Sequence, residues 1–366
     1  MKKIILGLAA AAGLMSAQAQ AVNCYILVHG RQDNQDTYNS YTAARNYWIG
    51  QNTNMFNMGS GATFNGPSII TKNGAHKHYI ASYDGTRGYQ QAAVQVARHL
   101  GNAMGLNPAN PFYSSNGWGG GYTFGGGKDG GGNSCAGASK YVLVFHSMGG
   151  TIAGFILGNA RTTDPNYNFQ GAPFRDIANK IIATNSRVYT LSSPLRGAQA
   201  ADAIEGKDSW FANLISSFIS KSTESTVWLQ TASNRQLATY SSSPLVPVYM
   251  LSGSETMASS VALNGSDDGV ITIHSSHACA GDPLTSASDS SICRDSQKMK
   301  PSGYYNISAA DENHSDVRNG SDTDKRKYTA ENRKCVSRIC KNTILGITVS
   351  KYPCSNSIEE ISCMTP

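Results

Sequence analysis

The chain has 366 residues, of which only 15% are charged, and a formal net charge of +6. That length can bury a full core in one large domain, with or without an appendage. The positive charge is modest and spread along the chain, without a basic stripe interleaved with aromatics, so nucleic acid is excluded as an expected partner.

The N-terminus reads as an export signal. Lys2 and Lys3 precede an apolar run over 4–15 that is too short to span a bilayer, and Ala17-Gln18-Ala19 and Ala19-Gln20-Ala21 offer two cleavage sites. Residues 1–21 are therefore expected to be removed, leaving a secreted or periplasmic protein. Cys24 follows Ala21-Val22-Asn23, which lacks the Leu and the small residue of a lipid-attachment site. All eight cysteines (Cys24, Cys135, Cys279, Cys293, Cys335, Cys340, Cys354 and Cys363) lie beyond the signal, and an even count in an exported chain reads as disulfides. Eight cysteines allow 105 pairings. We expect Cys24 with Cys135, Cys279 with Cys293, and the last four among themselves.

Next come strands alternating with helices. Residues 24–28 and 141–145 are apolar runs without polar alternation, as in parallel strands covered on both faces. Further strands are expected over 78–82, 187–191 and 247–251, with helices over 90–100 and 150–157. This alternation predicts a three-layer α/β sandwich with a mostly parallel sheet. Three segments break the rhythm. Residues 105–139 are rich in Gly, Asn and Ser and read as a long surface excursion. Residues 198–243 carry the apolar stripe Trp210, Phe211, Leu214, Ile215, Phe218 and Ile219 at helical spacing. Residues 321–366 hold four cysteines and the basic run Lys325-Arg326-Lys327, and read as a disulfide-stapled extension.

Chemistry concentrates at Phe145-His146-Ser147-Met148-Gly149-Gly150, where a buried strand meets a helix. A nucleophilic serine on such a turn needs small neighbours, because strand and helix approach closely there. Gly149, Gly150, Ala153 and Gly154 meet that demand. The motif usually reads Gly-x-Ser-x-Gly, and Phe145 replaces its first glycine, so a bulky ring must find room beside the helix. Val28-His29-Gly30-Arg31 follows the first strong strand, where a loop can supply one oxyanion donor while the residue after the nucleophile supplies the other. The backbone N–H groups of Arg31 and Met148 are assigned that role. Downstream, an acid and then a histidine are expected. Asp267 and Asp268 follow the strand at 247–251, and His314 stands in Asn313-His314-Ser315-Asp316. His274 and His277 lie too close to Asp268 to reach a separate loop and read as structural or rim residues. His146 points the wrong way for a base, and His76, His78 and His99 precede the serine and read as surface or core residues.

Together these motifs resemble the secreted bacterial triacylglycerol lipases of the α/β-hydrolase superfamily. Those enzymes carry an early Val-His-Gly, a His-Ser-x-Gly-Gly turn, a Ser/Thr-Pro-x-x-Gly turn, an Asp-Asp-Gly or Asn-Asp-Gly acid motif and an Asn-His-x-Asp base motif. Here Ser193-Pro194-Leu195-Arg196-Gly197 and Arg87-Gly88 also match, and the resemblance covers roughly 24–320 in the same order. It implies a hydrolase domain over 22–320, a cap or lid at 198–243, and a triad of Ser147, Asp268 and His314, with Asp267 a neighbour. It further implies an ester or lipid substrate and transient contact with a lipid surface. No cofactor is expected. A structural calcium is left open, since Asp316 matches one of the family's two calcium aspartates and the other has no counterpart. An acyltransferase, a non-catalytic binding protein on this fold and a peptidase remain alternatives, and oligomeric state cannot be read.

Overall fold

The computed structural model describes residues 23–31, 63–65, 68–70, 76–81, 83–106, 135, 137–160, 173–205, 223–231, 245–253, 263, 267–279, 304–310, 313–315, 317, 342–344 and 347–350. The expected signal peptide at 1–21 lies outside them. So do most of the 105–139 excursion and most of the extension.

The described strands are β1 (Asn23–Val28), β2 (Thr63–Asn65), β3 (Ser68–Ile70), β4 (His76–Ala81), β5 (Lys140–His146), β6 (Arg187–Leu191), β7 (Val248–Gly253) and β8 (Tyr304–Ala310). They form one sheet in the order β2-β3-β4-β1-β5-β6-β7-β8. All pairings from β4 to β8 are parallel, and at one edge the β2–β3 and β3–β4 pairings are antiparallel. The chain enters mid-sheet at β1, forms β2 at the edge, comes inward through β3 to β4 beside β1, then crosses to lay β5 on the other side of β1. Winding therefore reverses between β1 and β5. In open parallel sheets the crevice at such a reversal, beyond the carboxyl ends of the strands, is where ligands bind.

The helices are α1 (Tyr89–Ala103), α2 (Met148–Asn159), α3 (Phe174–Ala183), α4 (Gln199–Glu205), α5 (Glu224–Leu229) and the single turn α6 (Ile273–Ser276). On one sheet face Ile26, Val28, Leu143, Phe145, Val188, Val248 and Met250 merge into a core with α1, α2 and α3. On the other face Tyr25, Leu27, Val142, Val144, Tyr189 and Leu251 are also buried. Burial on both faces explains why these strands read as continuous apolar runs. α2 is buried from Met148 through Gly158 and is accordingly apolar all round. The sheet and its helices fit an α/β-hydrolase fold.

Phe145 finds its room on the α1–α3 face. Its ring is 1% exposed and lies among Leu100, Ala153, Ile156, Leu157, Ile177 and Ile181. The small Ala153 on α2 leaves that space. The ring points into the core rather than toward the helix start, so it does not displace the serine turn.

The ends of the segment expected to form a cap are packed into the domain. Ala198 N–H donates to the Leu229 carbonyl at 2.8 Å, and Thr231 N–H to Asp202 Oδ1 at 3.0 Å. Gly197 takes φ +93°, and a Cβ there would sit 2.5 Å from Thr231 Cα, so only glycine permits this approach. Ala200, Ala201 and Leu229 are buried. Within the segment 198–243, residues 198–205 and 223–231 thus pack against each other and the core. The stripe from Trp210 to Ile219 lies outside the described residues. Cys24 and Cys135 are disulfide-bonded with Cα atoms 5.8 Å apart, tying the start of β1 to the turn before β5. Cys279 is also disulfide-bonded; Cys293 and the tail cysteines lie outside the described residues. Within the extension, β9 (Asn342–Ile344) and β10 (Ile347–Ser350) pair antiparallel.

Candidate active site

Ser147 sits between β5 and α2 at φ 52°, ψ −130°. A side-chain-bearing residue at positive φ is strained, and persists only where its surroundings over-determine it. Here they do so by hydrogen bonds and packing. Ser147 N–H donates to the Leu191 carbonyl at the end of β6 (2.9 Å), and its own carbonyl accepts from Gly150 N–H (3.0 Å). A Cβ on Gly149 would come within 2.6 Å of the His29 carbonyl, so the helix start can lie against the β1 loop only because that position is glycine.

The acid and the base arrive from the far side of the sheet. Asp268 lies beyond β7, 1% exposed. Its Oδ1 accepts from the backbone N–H groups of Val270 (3.0 Å) and Ile271 (2.7 Å), which fixes the carboxylate plane. Its Oδ2 lies 2.9 Å from His314 Nδ1. His314 follows β8, and its backbone N–H donates to the Asp268 carbonyl at 2.9 Å. Asn313 Oδ1 accepts from Ser315 N–H at 3.0 Å, shaping the turn. His314 Nε2 then reaches Ser147 Oγ at 3.0 Å. All three residues expected from the sequence therefore meet in one relay, within hydrogen-bond reach at each step. Asp267 does not join it; its Oδ1 accepts from Gly269 N–H at 2.6 Å and supports the turn.

The β1 loop lies next to the serine because β1 and β5 are neighbours, with Val28 paired to Phe145. His29 is fully buried and stacks on Tyr83, with ring centroids 4.3 Å apart. Tyr83 N–H donates to His29 Nε2 at 3.1 Å, so Nδ1 carries the hydrogen and donates to the Gly30 carbonyl at 2.6 Å. In a trans peptide the carbonyl and the following N–H point in opposite directions. Holding the Gly30 carbonyl against the ring therefore turns Arg31 N–H away from it. Met148 is the first residue of α2, so its N–H has no acceptor within the helix. Both are backbone donors at the mouth of the β1/β5 crevice.

Other histidines separate by burial. His274 and His277 are 3% and 0% exposed, so neither is a rim residue; they lie in and just after α6. His99 accepts or donates through Nδ1 to the Tyr79 hydroxyl (3.1 Å), and burial, with His29 nearby, pushes its pKa down to about 4. Side chains of His76 and His78 lie outside the described residues.

Some contacts went unseen in the sequence. The Arg31 guanidinium, not only its N–H, is engaged: Nε reaches Ser225 Oγ (3.2 Å) and Nη2 reaches Thr223 Oγ1 (3.2 Å) and Thr226 Oγ1 (3.1 Å) at the start of α5. Arg196 N–H donates to Ser275 Oγ (3.1 Å) and its side chain to the Ala278 carbonyl, joining the Ser-Pro turn to α6. His146 donates from Nε2 to the His314 carbonyl at 2.8 Å. The only local hint of these was the concentration of hydroxyl residues at 222–226. Among the described residues no group of three or more His, Cys, Asp or Glu side chains could hold a metal ion, and Asp316 lies outside them. None of the described helices is long and apolar enough to cross a membrane.

No family model matches the chain, and no curated protein sequence does. Among solved structures, mature Bacillus licheniformis lipase BlEst2 is similar over 81% of this chain and 86% of that one, at 14% identity and a TM-score of 0.45. Staphylococcus hyicus lipase is similar over 84% and 92%, at 14% identity and a TM-score of 0.42. The metagenomic carboxyl esterase MGS0156 is similar over 94% and 75%, at 10% identity and a TM-score of 0.44. At such identities and TM-scores the likeness adds nothing to what strand order and side-chain geometry say of this chain.

Proposed function

We propose that the protein is an exported serine hydrolase that cleaves carboxylic esters through an acyl-enzyme. The observation that carries this reading is the continuous relay from Ser147 Oγ through His314 to Asp268, anchored on a strained turn at the switch point of the sheet.

His314 Nε2 takes the proton from Ser147 as its oxygen attacks the ester carbonyl carbon. Asp268 holds the Nδ1 proton toward itself and stabilises the imidazolium that forms. The N–H groups of Arg31 and Met148 stabilise the oxyanion. Collapse of the tetrahedral intermediate breaks the bond to the alcohol oxygen, which leaves with the proton from His314. Water, deprotonated by the same imidazole, then attacks the acyl-enzyme and releases the acid and free Ser147. An ester fits a site with a buried relay and backbone donors, because the reaction needs no group beyond these. Lipid rather than small soluble ester is the finer reading, and it rests on the apolar stripe at 210–219. Export is supported by the N-terminal pattern and by the Cys24–Cys135 bond, a linkage of oxidising compartments.

The test is to label the purified mature protein with a fluorophosphonate and map the adduct by mass spectrometry. The expected site is Ser147, with Ser147→Ala folded, unlabelled and slowed about a million-fold on a chromogenic short-chain ester. Full turnover in folded Ser147→Ala protein would end this reading.

A further inference from the structure

Two strands, β6 and β7, separate the strand before Ser147 from the strand before His314. Ser147 follows β5, whereas His314 follows β8, which among the described strands pairs only with β7. A loop on such a strand has lateral support on one side. Yet a triad tolerates little play, since a misplacement of about 1 Å can cost 100-fold in rate.

His146 bridges that gap. It is the last residue of β5, covalently joined to Ser147, and 1% exposed. A carbonyl can only accept, so the 2.8 Å contact with the His314 carbonyl makes His146 Nε2 the donor and sets its tautomer. The two imidazole rings also lie against each other, tilted by 48°, with centroids 4.8 Å apart. His314 is thereby held at three points: its N–H by the Asp268 carbonyl, its ring Nδ1 by Asp268 Oδ2, and its carbonyl by His146. The first two tie it to the β7 loop. The third ties its main chain to the strand that carries Ser147, beside the ring's own contact with Ser147 Oγ.

We propose that His146 is a positioning residue for the base, fixing the His314 main chain relative to Ser147 so that Nε2 meets Oγ. This deepens the reading of Ser147, His314 and Asp268 as a triad, and rests on it. His146 moves no proton in the reaction. A buried histidine that merely fills space would give the same burial without a donor aimed at the base.

The decisive pair is His146→Gln, whose Nε2 can reach the same carbonyl, and His146→Met, of similar length but without a donor. Each is measured for kcat and KM on a soluble short-chain ester, with active sites counted by fluorophosphonate titration and folding followed by melting temperature. The expected result is a fall in kcat of about 100-fold for Met with KM unchanged, and recovery to near the native rate for Gln. Equal rates in the two variants, or a lowered melting temperature in Met with native kcat, would overturn the proposal. Should Met not fold, nitrogen-detected NMR of the native protein decides: His146 must be protonated at Nε2 at pH 8, and Nδ1 protonation alone overturns it. If the native protein takes no label at Ser147, it is the triad reading that fails, which the titration shows before either variant is compared.

Discussion

At the end of β5 the backbone is forced into place, whereas at the end of β7 it is relaxed and tied down by side chains. Ser147 holds φ 52° under the packing of α2, with Gly149 against the His29 carbonyl and Phe145 locked in the core below. Asp267 and Asp268 instead sit in a turn stitched by their own carboxylates, to Gly269, Val270 and Ile271 N–H groups. Ser147 is placed by packing together with backbone hydrogen bonds, and Asp268 by side-chain hydrogen bonds to its own turn. Asp268 and Phe145 should therefore fail differently: Asp268 through chemistry with the fold intact, Phe145 through the fold with the chemistry intact.

The largest effect expected from this contrast is at the acid. Asp268→Asn keeps an oxygen for the two turn N–H groups but cannot hold the His314 tautomer, and should lose about 10,000-fold in turnover with little change in melting temperature. Asp267→Asn keeps its bond to Gly269 and should change turnover by only a small factor. Steady-state rates on one ester compare the two, and damage confined to Asp267→Asn would move the acid by one residue.

Phe145→Ala is the opposite break. Removing a ring buried among α1, α2 and α3 should cost about 3–5 kcal/mol of stability by urea unfolding, while the protein that remains folded labels at the native rate. Phe145→Gly, which restores the glycine usual at that point of the motif, should be worse still, because a strand glycine also adds chain entropy to be lost. Greater stability in Phe145→Gly would mean that the ring strains the turn after all.

A smaller effect belongs to pH. His99 has its pKa lowered to about 4 by burial, while in the unfolded chain it titrates near the ordinary value of 6.5. The unfolded state therefore binds the extra proton first. Stability from this residue is complete above pH 6.5, declines as pH falls from 6.5 toward 4, and levels off below, for a total of about 3 kcal/mol. Urea unfolding at pH 5 and pH 8 should show the loss in native protein and a weaker dependence in His99→Gln. An unchanged slope would place the acid sensitivity elsewhere.

Much of this was legible in the chain itself. The runs at 24–28 and 141–145 became β1 and β5 because burial on both faces leaves no polar alternation. Glycines at 149 and 150 marked the serine turn because only small residues let a helix start against a strand end. The order of serine, acidic pair and Asn-His pair anticipated that Ser147, Asp268 and His314 come together, because parallel strands deliver their following loops to one edge. These are local facts of polarity, size and order, and one strand or turn is enough to express them. The tertiary structure decided what depends on direction. Asp267 and Asp268 are neighbours of the same type, and only the turn at Gly269 shows which carboxylate faces His314. His146 and the Arg31 guanidinium make their contacts with residues 168 and about 195 positions away, through side-chain vectors that no spacing encodes. The meeting of 198–205 with 223–231 was likewise decided there, because the bonds of Ala198 to Leu229 and of Thr231 to Asp202 join residues about 30 positions apart.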